Sequence, residues 1–240
     1  MSFYKSDLVS FFFVEDSVPK VKEEYFENKR REIVDAAYRV CARKPITSID
    51  MKDIIDEAGF SHGVIYKYYK DLDEVLLDLV RRINEDNRLN DKIISIFGQQ
   101  DKKNWEEIIR DVCAMLADYM VQVGPDVLKI SIYANMMAVS EPERAERIAG
   151  KLQKNETSPL IELISVLSVF MKKVVSKNKL KPVKSISKIL EYMVAAYHGI
   201  QTGYVLSNCY HAEQVTGKYK PKEMFSCLAE SVILMINGKE

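Results

Sequence analysis

A short aromatic and basic stretch, GFSHGVIYKYYK at residues 59–70, carries the most distinctive chemistry of this sequence. Its tyrosine hydroxyls and the ammonium groups of Lys67 and Lys70 are good hydrogen-bond donors to phosphate oxygens. A helix that begins after Ser61 adds its own free N–H groups, which attract anions. The stretch therefore predicts a surface that contacts phosphate groups.

The spacing within the stretch predicts which side chains face outward. Ile65 and Tyr69 are four residues apart, so both are expected on the inward face of a helix. The outward face is then short, basic and aromatic, with His62, Gly63, Val64, Lys67 and Tyr68. A glycine inside a helix costs about 1 kcal/mol relative to alanine. Gly63 therefore indicates a position where the backbone approaches another molecule closely.

Two helices are predicted to position this stretch. The first begins at Asp50, whose side chain can accept N–H groups of the first turn, with Asp53 at the capping-box position. Gly59 ends it, because glycine adopts the left-handed conformation without a steric penalty. Ser61 caps the next helix after a three-residue turn. This is a helix-turn-helix pattern, in which the second helix fits a major groove.

The run MKDIIDEAGFSHGVIYKYYKDLDEVL, residues 51–76, resembles the DNA-binding region of the tetracycline-repressor (TetR) family of bacterial transcriptional regulators. The matching positions are Ile54, Ala58, Gly59, Phe60, Ser61, Gly63, Tyr66, Tyr69, Asp73, Glu74 and Leu76. Two positions depart from the family pattern. Ile55 stands where a small alanine is usual, and Leu72 stands where a phosphate-binding lysine usually begins the fourth helix. Leu72 thus removes one expected phosphate contact, which Lys70 replaces only in part.

The resemblance implies a fold, partners and a set of DNA-binding residues. The implied fold is all-α, with an N-terminal three-helix helix-turn-helix domain joined by a long helix to a C-terminal ligand-binding and dimerisation domain. The implied partners are double-stranded operator DNA, a second copy of the chain and a small-molecule effector. Base-edge contacts are implied for His62, Gly63 and Val64, with Lys67 adjoining, and phosphate contacts for Tyr66, Tyr68 and Lys70. Ser61 completes the predicted DNA-binding set.

Composition and charge restrict the class of protein. A chain of 240 residues with 47% hydrophobic residues can bury a sizeable core. The net charge is zero, which argues against bulk electrostatic coating of nucleic acid. Residues 29–70 nevertheless carry nine basic against six acidic residues, whereas residues 1–28 carry three against six. The acidic balance of residues 1–28 disfavours a basic arm in the minor groove.

Other signals of function are missing from the sequence. Four widely spaced cysteines predict neither a disulfide framework nor a zinc site, and no signal peptide or membrane span is predicted. A cytoplasmic protein without a cofactor or metal is expected. The three histidines are distant in sequence, and no H-E-x-x-H, G-x-S-x-G or phosphate-binding glycine loop occurs. No catalytic residue is predicted, and the protein is not expected to be an enzyme.

Helical periodicity continues to the end of the chain. We divide the sequence into an N-terminal extension of unknown role (residues 1–28), a DNA-binding domain (29–72) and an effector-binding and dimerisation domain (73–240). In the extension, Phe11, Phe12 and Phe13 belong either to a packed segment or to a mobile tail. A long helix is predicted from Asp71 to about Phe97, with Glu74 at its capping-box position. Further helices are predicted over 104–123, 126–139, 142–153, 158–177, 182–209 and 221–237.

Large and adaptable apolar side chains mark the middle of the chain. A bundle lined by Met and Tyr can hold an apolar ligand through shape and a few polar groups. The predicted ligand-binding residues are Val112, Met115, Leu116, Tyr119, Tyr133, Met136, Met137, Leu167 and Phe170. The alternative is that these residues are simply core, since every bundle needs apolar stripes at helical spacing.

The last two predicted helices carry wide apolar stripes with small residues among them. In the family the corresponding pair forms a four-helix dimer interface, and a symmetric dimer reads two half-sites about 34 Å apart. The predicted interface residues are Met193, Tyr197, Ile200, Tyr204, Leu228 and Val232. The alternative is that both helices only complete a monomer core.

Two functions from different classes fit these features. The first is a ligand-responsive transcriptional repressor that binds a palindromic operator as a dimer and is released by a small apolar or aromatic effector. The second is a helical ligand-binding or adapter protein on the same scaffold without DNA binding, which Leu72 and the modest charge favour.

Overall fold

The fold is known from a computed structural model, which describes residues 20–156, 158–209 and 219–238. The regular secondary structure in these ranges consists of helices only, which confirms the all-α expectation. Two short 3₁₀ turns lie at Ile46–Ser48 and Lys154–Glu156. The α-helices are α1 (Lys20–Cys41), α2 (Met51–Ala58), α3 (His62–Ile65), α4 (Leu72–Asp86), α5 (Asn90–Phe97), α6 (Trp105–Ser140), α7 (Pro142–Ala149), α8 (Pro159–Asn178), α9 (Ile186–Cys209) and α10 (Pro221–Asn237).

The predicted boundary between the extension and the DNA-binding domain falls inside α1. This helix runs without interruption from Lys20 to Cys41, so residues 20–28 continue the first helix of the domain. The ring of Phe26 lies 4.5 Å from that of Tyr68, centroid to centroid. The remainder of the predicted extension, including Phe11, Phe12 and Phe13, lies outside the described residues.

Buried apolar side chains form two separate cores. The first core joins α1, α2, α3 and α4 to the second half of α6 and to α7, and its centre includes Ile33, Ile54 and Ile65, each fully buried. The second core joins α5 and the first half of α6 to α8, α9 and α10. The DNA-binding domain therefore shares its core with parts of the chain beyond residue 72.

Helix α6 passes from one core to the other through a kink. Gly124 has φ 79° and ψ 167°, a conformation that is accessible to glycine and strained for other residues, and Pro125 follows it. Met120, before the kink, and Leu128, one turn after it, belong to the second core, whereas Ile130 belongs to the first. The two helices predicted over 104–123 and 126–139 are the two halves of α6.

The long helix predicted from Asp71 to Phe97 is interrupted. Helix α4 ends at Asp86, and α5 begins at Asn90. At the interruption, the Asn87 side-chain amide donates to the backbone oxygen of Ile83 at 2.8 Å, which favours a helix end. Leu89 is 1% exposed and anchors α5 in the second core. At 1.5 Å per residue, the 15 residues of α4 span only about 22 Å.

The later helices differ from the prediction mainly at their ends. Helix α7 stops at Ala149 rather than at residue 153, and α9 begins at Ile186 rather than at residue 182. Proline begins α7, α8 and α10, where its missing N–H has no cost. Among the described helices, none has the length and apolarity needed to cross a membrane.

Candidate nucleic-acid interface

The helix-turn-helix predicted around residues 50–65 is present. Asp50 accepts a hydrogen bond from the backbone N–H of Asp53 at 2.9 Å, and Asp53 accepts one from the N–H of Asp50 at 3.1 Å. This reciprocal capping box fixes the start of α2. Gly59 ends α2 with φ 67°, the left-handed conformation that the tight turn requires. Helix α3 follows after Phe60 and Ser61.

The segment that should contact DNA, residues 61–70, is only partly helical. Helix α3 stops at Ile65, and the chain continues as a tight turn in which Tyr68 donates its backbone N–H to the oxygen of Ile65 at 2.9 Å. The inward face is nevertheless as predicted, since Ile65 is fully buried and Tyr69 is 1% exposed. We call residues 61–70 the recognition segment.

Most of the predicted DNA-binding side chains lie on the outer surface of the recognition segment. Ser61, His62, Gly63, Tyr66, Lys67 and Lys70 are exposed, and Val64 is half-buried. A side chain at Gly63 would meet no atom of the described chain within 4 Å. Internal packing therefore does not require a glycine at this position, which agrees with close approach of another molecule.

Ser61 differs from its predicted capping role. Its backbone is extended, as at an N-cap, but its hydroxyl makes no capping hydrogen bond. The hydroxyl is exposed at the start of α3, beside N–H groups that have no helical partner. It is therefore available as a donor to an outside acceptor.

Tyr68 was predicted on the outward face, but its side chain is only partly exposed. It is half-buried, and its ring packs against Phe26 of α1. On the same side, the ammonium group of Lys29 lies 4.8 Å from the centre of the Phe60 ring. The N-terminal part of α1 thus supports the recognition segment, a contact that sequence spacing did not reveal because the two are 42 positions apart.

Several cations of the DNA-binding domain are paired within the domain. Glu57 of α2 accepts hydrogen bonds from Arg39 of α1 and from Arg43, which follows α1, and both hold the pKa of its carboxyl below the ordinary value. Lys44 pairs with Asp53, and this contact, with the capping bond from Asp50, likewise lowers the pKa of Asp53.

These pairs join the end of α1 and the residues that follow it to α2, so their cations are held within the domain. Within the described residues, Lys67 and Lys70 form no ion pair and are exposed. The surplus of basic residues counted over 29–70 already includes Glu57 and Asp53, so these pairs leave it unchanged. The positive charge of the recognition segment itself remains.

Leu72 has a structural role that accounts for the missing lysine. It is the first residue of α4, and its half-buried side chain packs against the first core. Asp71 caps this helix by accepting from the N–H of Glu74 at 2.9 Å. The reciprocal bond of the predicted capping box is displaced by one residue, since Glu74 accepts from the N–H of Lys70.

The predicted ligand-binding residues are divided between different places. Six of them, on the first half of α6 and on α8, lie together and buried in the second core, namely Val112, Met115, Leu116, Tyr119, Leu167 and Phe170. The other three lie beyond the kink. Tyr133 and Met137 pack with the first core, and Met136 is 55% exposed. The kink at Gly124 separates the two groups, so the structure does not bring all nine residues into one site.

Two clefts open on the second domain near these elements. One of about 200 Å³ lies beside Phe170 and Trp105 and is otherwise lined mainly by polar side chains of α8 and of the segment before α6. The other, of about 650 Å³, lies at the interruption between α4 and α5. It is lined by Asn84, Arg88, Asn90, Asn155, Pro159, Ile161, Glu162 and Ser165.

The predicted dimer residues face the interior of their own chain. Met193, Tyr197, Ile200, Leu228 and Val232 are each 8% exposed or less and belong to the second core, and Tyr204 packs against it. The apolar stripe of each helix covers α6, so it is not available to a partner. The monomer-core alternative therefore accounts for these six residues.

The opposite face of the same two helices is largely exposed and is uncharged except at the start of α9, where Lys188 and Glu191 form an ion pair. On α9 it consists of Tyr192, Ala195, Gly199, Thr202 and Leu206, and on α10 of Met224, Cys227, Ser231 and Leu234. Leu234 is 59% exposed and Leu206 is 48% exposed. We call these nine residues the α9–α10 face. The sequence indicates this face by a second stripe of small and apolar residues at helical spacing. The prediction missed it because the other apolar stripe of each helix is wider.

The described part of the chain is all-helical and combines a capped helix-turn-helix with an exposed recognition segment, the arrangement of a helix-turn-helix DNA-binding domain. Residues 33–79 match the family described as bacterial regulatory proteins, tetR family. The uncharacterized HTH-type transcriptional regulator YfiR of Bacillus subtilis (strain 168) is 36% identical over 62 residues. That match covers 26% of this chain and 30% of the relative, so it is confined to less than a third of that protein.

Two solved structures share the fold over most of the chain. Salmonella enterica GusR has a TM-score of 0.56 at 13% identity, covering 87% of this chain and 95% of its own. A putative TetR-family transcriptional regulator from Syntrophomonas wolfei has a TM-score of 0.55 at 14% identity, covering 88% and 95%. The family match and the identity to YfiR are thus confined to the DNA-binding part of the chain, whereas the two solved structures are similar to it in fold.

Proposed function

We propose that this protein is a dimeric transcriptional repressor that binds a palindromic operator and is released by a small effector. The observation that carries the DNA-binding step is the recognition segment. Its hydroxyl, imidazole and ammonium groups are exposed, whereas Ile65 and Tyr69 fix it to the domain from inside. His62, Gly63 and Val64 contact base edges, and Tyr66, Lys67, Lys70 and the Ser61 hydroxyl contact the sugar-phosphate backbone.

The proposed dimer uses the α9–α10 face. Uncharged residues recur along the middle of both helices, and the paired charges of Lys188 and Glu191 lie at the start of α9, as expected for an interface with an apolar centre and a polar rim. Gly199 lies in the middle of the α9 stripe, and a side chain there would meet nothing within 4 Å in the described chain. A partner helix can therefore approach closely. A two-fold axis through this face pairs two recognition segments with the two halves of a palindrome.

The proposed effector is apolar or aromatic and enters the second core between α6 and α8. Phe170 borders both this core and the cleft of about 200 Å³, and its ring makes an edge contact with Phe97, centroids 5.3 Å apart. Tyr119 is buried in the same core, where burial raises the pKa of its hydroxyl. Movement of Phe170 admits the ligand, and the Tyr119 hydroxyl supplies a polar contact.

DNA binding is tested by titrating labelled DNA from upstream of the chain's own gene. We expect a specific complex whose affinity falls steeply with salt. Lys67→Ala weakens it about tenfold, because one phosphate or base contact is lost. Lys102→Ala is the matched control, since it removes the same charge from an exposed loop before α6. Equal effects of the two variants, or no specific complex at low salt, would favour the ligand-binding or adapter function.

The release step has a reciprocal test. An effector that dissociates the complex must bind the DNA-bound dimer more weakly than the free dimer, and a 100-fold preference corresponds to about 2.7 kcal/mol of coupling. Phe170→Ala and Tyr119→Ala are expected to change effector affinity and to leave the operator affinity of the free protein unchanged. A ligand with equal affinity for both forms would exclude this mechanism of release.

A further inference from the structure

Asp78 of α4 lies where α4 meets α1 and the recognition segment. Its Oδ2 atom accepts a hydrogen bond from the Tyr69 hydroxyl at 2.9 Å and one from the guanidinium of Arg30. Its Oδ1 atom accepts one from Arg81 at 3.1 Å. One carboxylate therefore contacts α1, the end of the recognition segment and its own helix.

The contacts of Asp78 fix the position of Tyr69. The Tyr69 ring is 1% exposed and is covered by the Arg30 guanidinium, 4.7 Å from the ring centre. Burial, and next the negative charge of Asp78, raise the pKa of Tyr69, so its hydroxyl stays protonated and donates. Burial of Asp78 alone would raise the pKa of its carboxyl, but the hydrogen bonds from Arg30 and Tyr69 outweigh it and keep the pKa low.

Arg81 extends the junction to residues 151–156, which follow α7. Its guanidinium also donates to the Glu156 carboxylate at 3.0 Å and to the backbone oxygen of Lys151 at 3.3 Å. One turn further along α4, the Asn84 amide donates to the backbone oxygen of Glu156 at 2.8 Å. Residues 151–156 are thus held to α4 at three points, beside the cleft of about 650 Å³ that Asn84 and Asn155 line.

The interruption between α4 and α5 makes this side-chain route important. A continuous helix would pass a displacement in the second domain directly to its first turn, but α4 ends at Asp86. Movement of residues 151–156 acts instead on Arg81, and through Arg81 on the carboxylate that holds Tyr69. We propose that Asp78 is a positioning residue for DNA recognition, and that the Glu156–Arg81–Asp78–Tyr69 chain couples residues 151–156 to the recognition segment. This inference rests on the proposed DNA binding.

The first experiment compares two identical substitutions. Glu156→Gln weakens the pair with Arg81. Glu230→Gln weakens a similar pair between α6 and α10, in which the Glu230 carboxylate accepts from Arg110 at 2.7 Å. Each substitution removes one negative charge, which by itself strengthens DNA binding. We expect Glu156→Gln to weaken operator binding about three- to tenfold, although its charge effect acts in the opposite direction. Glu230→Gln is not expected to weaken operator binding. Operator binding by Glu156→Gln as tight as that of Glu230→Gln would overturn the proposal.

A double-mutant cycle tests the route. Tyr69→Phe keeps the ring in the core and removes its bond to Asp78, so it is expected to weaken operator binding by itself. If coupling passes through that bond, Glu156→Gln has no further effect in the Tyr69→Phe protein. An undiminished further effect would show that Glu156 acts by another route, and would overturn the role of Asp78.

Hydrogen exchange separates this proposal from the proposed function. The backbone amides of Tyr68 and Tyr69 bond to Ile65, so their exchange rates report the order of the recognition segment without DNA. We expect Glu156→Gln to accelerate their exchange and Glu230→Gln not to. If the parent protein binds no DNA but Glu156→Gln still accelerates this exchange, the coupling stands and the proposed function fails. Unchanged exchange in Glu156→Gln would overturn the coupling whether or not the protein binds DNA.

Discussion

The rings of Phe26 and Tyr68 lie 4.5 Å apart, centroid to centroid, and join the first turns of α1 to the recognition segment. In the proposed DNA-binding mode, Tyr68 therefore combines this packing contact with a hydroxyl that reaches a phosphate. Substitution of Tyr68 is therefore expected to change both stability and operator affinity, whereas Lys67→Ala is expected to change only operator affinity.

We expect Tyr68→Ala to lower operator affinity and also to lower the free energy of unfolding by about 1 kcal/mol, because an aromatic pair is lost. Tyr68→Phe keeps the pair, so it is expected to lower operator affinity alone. Phe26→Ala is expected to lower stability and to weaken DNA binding indirectly. Denaturant unfolding together with DNA titration measures both properties. Parent-like stability of Tyr68→Ala would contradict the packing role of the ring.

A lysine at position 72 would have two opposing effects. Leu72 is half-buried against the first core, so Leu72→Lys is expected to lower the free energy of unfolding by about 1 kcal/mol. A positive charge at the start of α4 is also unfavourable to the helix dipole. If the lysine reaches a phosphate, the slope of log affinity against log salt becomes steeper by about one. Leu72→Met is the control, since it preserves packing and adds no charge. An unchanged salt slope would show that position 72 does not contact DNA.

The sequence was sufficient to predict the helix-turn-helix because its signals are local. The capping residues Asp50 and Asp53, the turn at Gly59 and the inward pair Ile65 and Tyr69 each act within a few residues. Local signals also predicted that proline and glycine separate the later helices. Long-range contacts were not predictable in this way. The packing of Phe26 on Tyr68 and the pairing of Arg81 with Glu156 depend on how helices meet, which periodicity does not specify.

Periodicity also did not distinguish a chain's own core from an interface. Helix α9 has a wide apolar stripe with Met193, Tyr197 and Ile200, and this stripe covers α6. The narrower stripe with Tyr192 and Leu206 is the exposed one. Similarly, the helical spacing of apolar residues continues past Asp86, so the predicted helix was too long. The hydrogen bond from Asn87 to Ile83 favours a helix end there without interrupting the apolar pattern.

Charges placed on the two stripes of α9 and α10 should therefore behave differently. Leu234→Glu adds a carboxylate to the exposed α9–α10 face and is expected to give a folded monomer. Ile200→Glu buries a carboxylate in the second core, at a cost of several kcal/mol, and is expected to destabilise or unfold the chain itself. Sedimentation gives the mass and circular dichroism the folded state. An intact dimer of Leu234→Glu would exclude the proposed face.

Cysteine labelling provides an independent test of the same face. Cys41 and Cys113 are buried, and burial raises the pKa of each thiol to about 12, so neither presents a reactive thiolate at pH 8. Cys227 is exposed on the α9–α10 face. In a Cys209→Ser background, which limits the count to these three cysteines, we expect one thiol to react with a disulfide reagent in the folded protein and three to react after unfolding.

The reaction rate of Cys227 should depend on protein concentration. In the proposed dimer the partner covers this thiol, so labelling slows as the concentration rises through the dimer dissociation constant. Leu234→Glu, if monomeric, should label at one rate over the same range, because no partner covers Cys227. A concentration-independent rate in a protein that sedimentation shows to be a dimer would place the interface elsewhere. The exposed stripes of α9 and α10 would then need another explanation.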